Sequence, residues 1–264
     1  MTRTLDWADY RTSEYSAIDP DLTIAILPTA AIEQHGPHLP VGTDTMIAKG
    51  MLDHLKATCP ASLDIRILPI QAVGKSNEHL HAPGTLTLTA ETALSAWLEI
   101  GLSVARAGVR KIVIINSHGG NLDLVSILAR ELRVRAGMLA VKCQWGSFGH
   151  PEGLFSEHER SFGIHGGDVE TSLMLAFRPE TVEMSQAANF RSTAEGADIP
   201  PTGPISYGWI ASDLNPHGTV GDASAATAQK GHETCAHQVA GLIALLHKVA
   251  GHSLDGFHPI RPTV

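Results

Sequence analysis

Residues 22–44 read LTIAILPTAAIEQHGPHLPVGTD. The first six form a continuous apolar run closed by Pro28, the pattern of a strand buried on both faces of a parallel sheet. A Gly/Pro-rich loop carrying Glu33, His35 and Asp44 follows. Met46, Ile47, Met51, Leu52 and Leu55 then recur at close to helical spacing, which predicts a helix over 44–58. The unit repeats along the chain. Residues 65–70 (IRILPI), 111–115 (KIVII) and, more weakly, 139–143 (LAVKC) read as further strands. Helices are predicted over 89–107, 121–136, 168–176 and 223–249, with Asn121 expected to cap the third of the five. Alternating strands and helices argue for an α/β layered domain with a mostly parallel sheet.

The 264 residues are 43% hydrophobic, enough for one domain spanning 1–264 with a substantial core. No linker or repeat divides them. Residues 191–217, with Pro200, Pro201, Pro204 and Pro216, read as a long surface excursion, a candidate lid or oligomer contact. The formal charge of −8, from 27 acids against 19 bases, argues against nucleic acid as the main partner. No run reaches the ~18 apolar residues of a membrane span. Residues 1–16 lack the apolar core of a secretory signal. The three cysteines are widely separated and no CxxC occurs, so a cytoplasmic setting is expected.

The unusual residue is histidine, of which there are 15. In open parallel sheets, ligands bind beyond the carboxyl ends of the strands, and several histidines fall there beside acids and glycines. Glu33 and His35 lie two apart, on one face of an extended segment. Asp44 taken alone reads as a first-turn helix acid, and the pair as an ordinary exposed pair. All three within twelve residues, in a loop after a buried strand, point instead to a divalent metal, since zinc, manganese and iron share carboxylate and imidazole ligands. His38 is read as a loop histidine. After 111–115 comes NSHGGN, where Gly119 and Gly120 let the backbone turn closely around a ligand beside His118. A phosphate loop would need a GxGxxG or a lysine that the segment lacks. The third cluster, HGGDVETS over 165–172, offers His165 to a substrate and Glu170 to a metal, the bland alternative for Glu170 being an acid favoured by the helix dipole. A fourth, over 74–85, places Ser76, Glu78 and His79 either along the same pocket or in a solvated polar loop.

These segments, in this order, resemble the creatininase family of metal-dependent amidohydrolases. The matching stretches are EQHGPHLPVGTD at 33–44, EHLHAPGT at 78–85, NSHGGN at 116–121, HGGDVETS at 165–172 and GTVGDASAATAQKG at 218–231. The resemblance covers residues 20 to 250. It implies a three-layer αβα sandwich and hydrolysis of the C–N bond of a small amide, cyclic amide or formamide by water activated at a two-metal site. Two divalent ions per chain are implied, zinc first, with manganese or iron as alternatives. Glu33, His35, Asp44 and His118 carry over as ligands, with Asp44 bridging. Creatininase has a glutamate where this chain has Gly120. Members with HGGN resemble a second group, formamide deformylases and peptide-maturing peptidases, in which the glutamate matching Glu170 completes the site. His165 matches the histidine acting near the scissile bond, where it would give the leaving nitrogen a proton. Ser76, Glu78, His79, Gly119 and Trp145 are the candidate substrate-lining residues. Creatininase has a tyrosine at the position of Gly119. Trp145 matches one of its tryptophans, while Ser161 and Phe162 stand near the other, so creatinine itself is not the expected substrate. The resemblance further implies a homo-oligomer, a hexamer. A nucleotide-binding module and a non-catalytic metal scaffold are the rival readings. Neither explains acids and histidines after three separate strands together with a histidine aimed at substrate.

Overall fold

The computed structural model describes residues 4–260; the two ends of the 1–264 span lie outside the described residues. Four strands, β1 (Ile24–Thr29), β2 (Ile65–Ile67), β3 (Lys111–Asn116) and β4 (Leu139–Gln144), form one sheet in the order β2-β1-β3-β4. Every neighbouring pair is parallel. β1 and β3 are buried along all six residues, which explains their unbroken apolar runs. β2 is shorter than the apolar run around it: the continuous ladder stops at Ile67, just before Pro69, which has no N–H for a ladder bond, and pairing with β1 resumes only as a single bridge between Thr29 and Gln71.

The helices are α1 (Thr12–Tyr15), α2 (Thr43–Thr58), α3 (Ala90–Arg106), α4 (Leu122–Ala136), α5 (Glu157–Phe162), α6 (Asp168–Phe177), α7 (Ala211–Leu214) and α8 (Ala228–Ala250). Side chains alternate across the sheet and so build two cores. Ile24, Ile26, Val113 and Ile115 pack against Met51 and Leu55 of α2, Leu173 and Met174 of α6, and Val239, Leu242 and Leu246 of α8. Ala25, Leu27, Ile112 and Ile114 pack against Trp97 of α3 and Val125, Leu128 and Leu132 of α4. Burying each such Leu, Ile or Val contributes about 1.5–3 kcal/mol. The result is the expected three-layer αβα sandwich.

Two helix starts differ from the sequence expectation. α8 begins at Ala228, capped by the Thr227 side chain accepting from the Lys230 N–H, after a 3-10 turn over Ala223–Ala225. Asn121 does not cap α4. Its side chain is drawn inward, where Nδ2 donates to the Ala30 carbonyl and Oδ1 accepts from the Lys75 N–H at 3.0 Å. The excursion over 191–217 holds α7 and is flanked by β5 (Asn189–Phe190) and β6 (Gly221–Asp222), an antiparallel pair. Among the described residues no helix is long and apolar enough to cross a membrane.

Candidate metal and active site

A parallel sheet places the carboxyl ends of all its strands at one edge. Thr29 and Asn116, the last residues of β1 and β3, sit side by side there, joined by a 2.9 Å hydrogen bond. The loops that leave them bring Glu33, His35, Asp44, His118, His165 and Glu170 together, although up to 137 residues separate them in sequence. Asp44 stands in the first turn of α2 and Glu170 in the first turn of α6.

The histidines define the site, because backbone carbonyls settle where their protons are. His35 Nδ1 lies 3.0 Å from the Glu33 carbonyl, His118 Nε2 2.9 Å from the Lys75 carbonyl, and His165 Nε2 2.7 Å from the Gln34 carbonyl. A carbonyl only accepts, so each of these ring nitrogens donates and the other nitrogen of each neutral ring carries a lone pair. All three lone pairs face carboxylates. His118 Nδ1 is 3.1 Å from Glu33 Oε1 and 3.2 Å from Asp44 Oδ2. His35 Nε2 is 3.3 Å from Asp44 Oδ1 and 3.8 Å from Glu170 Oε2. His165 Nδ1 is 3.7 Å from Glu33 Oε1. Lone pair facing lone pair at these distances requires a cation between them, a proton or a metal. Glu33 Oε2, His35 Nε2 and Asp44 Oδ2 are buried and have no hydrogen-bond partner. Such orphans cost free energy unless a ligand satisfies them. The donor set, carboxylates and imidazoles without sulfur, suits divalent zinc, manganese or iron.

The two oxygens of Asp44 face different halves of the cluster, Oδ2 toward His118 and Oδ1 toward His35. Among the described residues, the ligand atoms near enough to share an ion form four overlapping groups: Glu33, His79 and His165; His35, His165 and Glu170; Glu33, His35 and Asp44; and Glu33, Glu78 and His118. Without a metal, protons fill the gap. Burial alone would lower His35, but Asp44 beside it holds the ring up to about 10. His118 is likewise lowered by burial and raised more strongly by Glu33 and Asp44, ending well above its ordinary value. Burial raises Glu170 to about 7, with His35 opposing. A metal entering at neutral pH must displace protons from His35 and His118. Apparent metal affinity is therefore expected to rise with pH between 6 and 8, by about tenfold per pH unit for each proton released. Calorimetry in two buffers of different ionisation enthalpy reads the release directly; equal heats in both would contradict it.

The 74–85 segment folds inward rather than lying solvated. Ser76, Glu78 and His79 are all buried. Ser76 Oγ is 3.2 Å and Glu78 Oε1 3.4 Å from His118 Nε2, so both stand behind the ring and orient it. Lys75 Nζ, 3.0 Å away, partners the other side of Glu78. Gly120 is tied to the same arrangement. A Cβ there would overlap Glu78 Oε1, His118 Nε2 and the Lys75 carbonyl. Gly120→Ala is expected to push Glu78 off His118 and weaken metal binding by ~10–100-fold, the cost of losing an outer partner. Metal titration of the folded variant checks this; unchanged affinity would contradict it.

His38 is buried, not a solvated loop residue. It is 2.9 Å from Thr171 Oγ1 through Nε2 and stacks on Phe190. Burial, named first among its influences, lowers it to about 4, so it is neutral. His165 is held well below its ordinary value by burial and by His35, and its ring stacks between His35 and His79 at 4.2 and 4.4 Å. Trp145 is buried, with its indole N–H donating to Ser117 Oγ at 3.2 Å. Trp145, His118, Gly119 and Glu170 line a cleft of about 370 Å³ that opens on the cluster. Nothing stands within 4 Å of where a Gly119 side chain would begin. Two buried residues escaped the sequence reading. Glu159 accepts from the Asp168 and Asp222 N–H groups at 2.7 and 2.8 Å, fixing the start of α6. Gln34, inside the first motif, touches both His79 and the Gly218 turn. Glu159 reaches Asp222 across 63 residues and Gln34 reaches Gly218 across 184, so no local spacing marks these contacts.

A carboxylate–imidazole cluster of this kind, at the carboxyl edge of a parallel αβα sheet, defines a candidate metallohydrolase centre. The creatininase family profile, described as creatinine amidohydrolase, matches residues 8–246. The chain belongs to the creatininase family, hydrolases acting on carbon–nitrogen bonds. It is 30% identical over 236 residues to the mycofactocin precursor peptide peptidase of Mycobacterium ulcerans, covering 86% of each chain. It is 29% identical over 258 residues to the creatinine amidohydrolase of Pseudomonas putida, covering 90% of this chain and 94% of that one. A manganese creatininase structure matches the fold at a TM-score of 0.71 and 22% identity, covering 95% of this chain and all of that one.

Proposed function

We propose that this chain is a two-metal amidohydrolase that cleaves a C–N bond of a small amide, cyclic amide or formamide. The observation that carries the reading is the convergence of three histidine lone pairs, each fixed by a backbone carbonyl, on Glu33, Asp44 and Glu170. Glu33, Asp44 and His118 would hold one cation, and His35, Asp44 and Glu170 the other, with zinc the first candidate and manganese or iron the alternatives. When bound, such a pair lowers the pKa of water from ~15.7 toward ~7 and polarises a carbonyl oxygen. The protein does the rest. Burial excludes bulk water from Glu33, His35 and Asp44. Ser76, Glu78 and Lys75 hold His118 in place from behind. His165 offers Nδ1 to receive a proton first and return it to the leaving nitrogen, with Nε2 tied to Gln34. Trp145 and the open space at Gly119 shape the cleft for the acyl or amine portion.

Peptide cleavage is the second reading, favoured by the likeness to the peptidase and by the unfilled space at Gly119, which leaves room for more than a small ring. The test is a hydrolysis panel of creatinine, cyclic amides, formamides and short peptides, with the protein metal-loaded and chelated. Turnover of one class, abolished by chelation and restored by metal, is expected. No turnover of any class by the loaded protein would contradict the proposal. In the same reading the protein is cytoplasmic and forms a homo-oligomer, a hexamer, with exposed Ile199, Ile205 and Ile210 of the excursion as a contact; a monomer in sedimentation would remove that contact.

A further inference from the structure

The side chain of Gln34 is buried among two histidines and two backbone groups, and the backbone groups fix its orientation. Its Oε1 accepts from the Gly36 N–H at 2.9 Å, and its Nε2 donates to the Gly218 carbonyl. Turning the amide over would set oxygen against carbonyl oxygen and N–H against N–H, so the assignment follows from atoms whose roles are unambiguous. The second N–H of the amide then points at His79 Nδ1, 2.8 Å away. Nδ1 must accept. A neutral His79 therefore carries its proton on Nε2, and Nε2 lies 3.5 Å from Glu33 Oε2, an approach within ion-pair reach that stops short of a hydrogen bond. The amide nitrogen also comes within 3.3 Å of His165 Nε2. Since that atom already donates to the Gln34 carbonyl, this is a contact between two donors and not a bond.

We propose that Gln34 is a positioning residue that fixes the proton of His79 on Nε2, so that His79 orients Glu33 from behind while Gln34, through its carbonyl, fixes His165 in the same tautomer. One residue thereby sets two stacked histidines, His79 nearest Oε2 of Glu33 and His165 nearest Oε1, and ties them to the turn at Gly218. That turn closes tightly on it: Gly218 has φ +72°, and a Cβ there would lie 2.7–2.8 Å from the Gln34 amide atoms. The consequence for metal binding rests on the two-metal reading; the tautomer itself does not.

The experiment is long-range proton–nitrogen NMR of the metal-free, 15N-labelled protein, with His79 assigned by its loss in His79→Gln. In the wild type, His79 Nδ1 is expected bare and Nε2 protonated. Gln34→Glu keeps the size of the side chain but presents an oxygen to His79, so Nδ1 is expected to gain a proton. Gln34→Met, which lacks both donors, is expected to bind zinc ~10–100-fold more weakly. A wild-type His79 protonated on Nδ1, alone or with Nε2, overturns the proposal even if neither variant folds. So does an unchanged His79 ring in folded Gln34→Glu. The expected tautomer in a protein that binds no zinc would sink the two-metal reading and leave the Gln34 assignment standing.

Discussion

Asp44→Asn should empty both halves of the cluster at once. Asp44 is the one residue whose two oxygens are divided between them, Oδ1 at 3.3 Å from His35 Nε2 and Oδ2 at 3.2 Å from His118 Nδ1. Asparagine keeps the volume but turns an N–H₂ toward one of the two histidines, where it meets a lone pair and removes an anion. Activity is expected to fall by more than ~100-fold, beyond the ~10–100-fold that follows loss of an outer partner, and metal content to drop toward zero per chain. Because bound metal stabilises only the folded state, melting should also lose its dependence on added metal. Metal analysis and melting curves of the purified variant decide the matter. A variant that still carries two ions would show that Asp44 does not bridge.

His165→Ala should behave differently. His165 makes one ion-pair approach to the cluster, Nδ1 at 3.7 Å from Glu33 Oε1, its ring stacks on His35, and its other nitrogen is committed to the Gln34 carbonyl. Glu33, His35, Asp44, His118 and Glu170 remain without it. Turnover is expected to fall by ~10²–10⁴-fold, the range for loss of a positioned acid–base group, while both ions stay. Burial and the neighbouring His35 keep its ring neutral, so it would act first as an acceptor. Parallel measurement of turnover and metal content separates the roles. Loss of an ion together with activity would make His165 a ligand, which its place within 4.8 Å groupings with Glu33 and Glu170 allows geometrically.

Much of this was legible in the sequence, for a physical reason. Strands buried on both faces must be continuously apolar, so β1 and β3 announced themselves, and the parallel fold then fixed which end to search. Residues in the loops leaving those strands, such as His35 and His118, were readable because the chemistry sits close to the strand that presents it. What escaped depended on contacts distant in sequence. Ser76, Glu78 and His79 were legible as pocket candidates but not as distinct from a solvated loop, because what turns them inward, His118 and Glu33, lies outside 74–85. Asn121 abandoned a helix cap for the Ala30 carbonyl and the Lys75 N–H, 91 and 46 residues away. Gln34 is bound to Gly218 across 184 residues. Gly120 read as a residue that lets the backbone approach closely beside His118, but the groups that need its space, Glu78 and the Lys75 carbonyl, could not be named from its neighbours.

In the proposed function these side chains hold two divalent ions. Mass-spectrometric metal analysis of the protein, purified without chelator and compared with Asp44→Asn, tests it most directly. Close to two ions per chain in the wild type, lost in the variant, is the predicted result. A wild-type protein that carries no divalent metal and takes up none when zinc, manganese or iron is supplied would contradict the account.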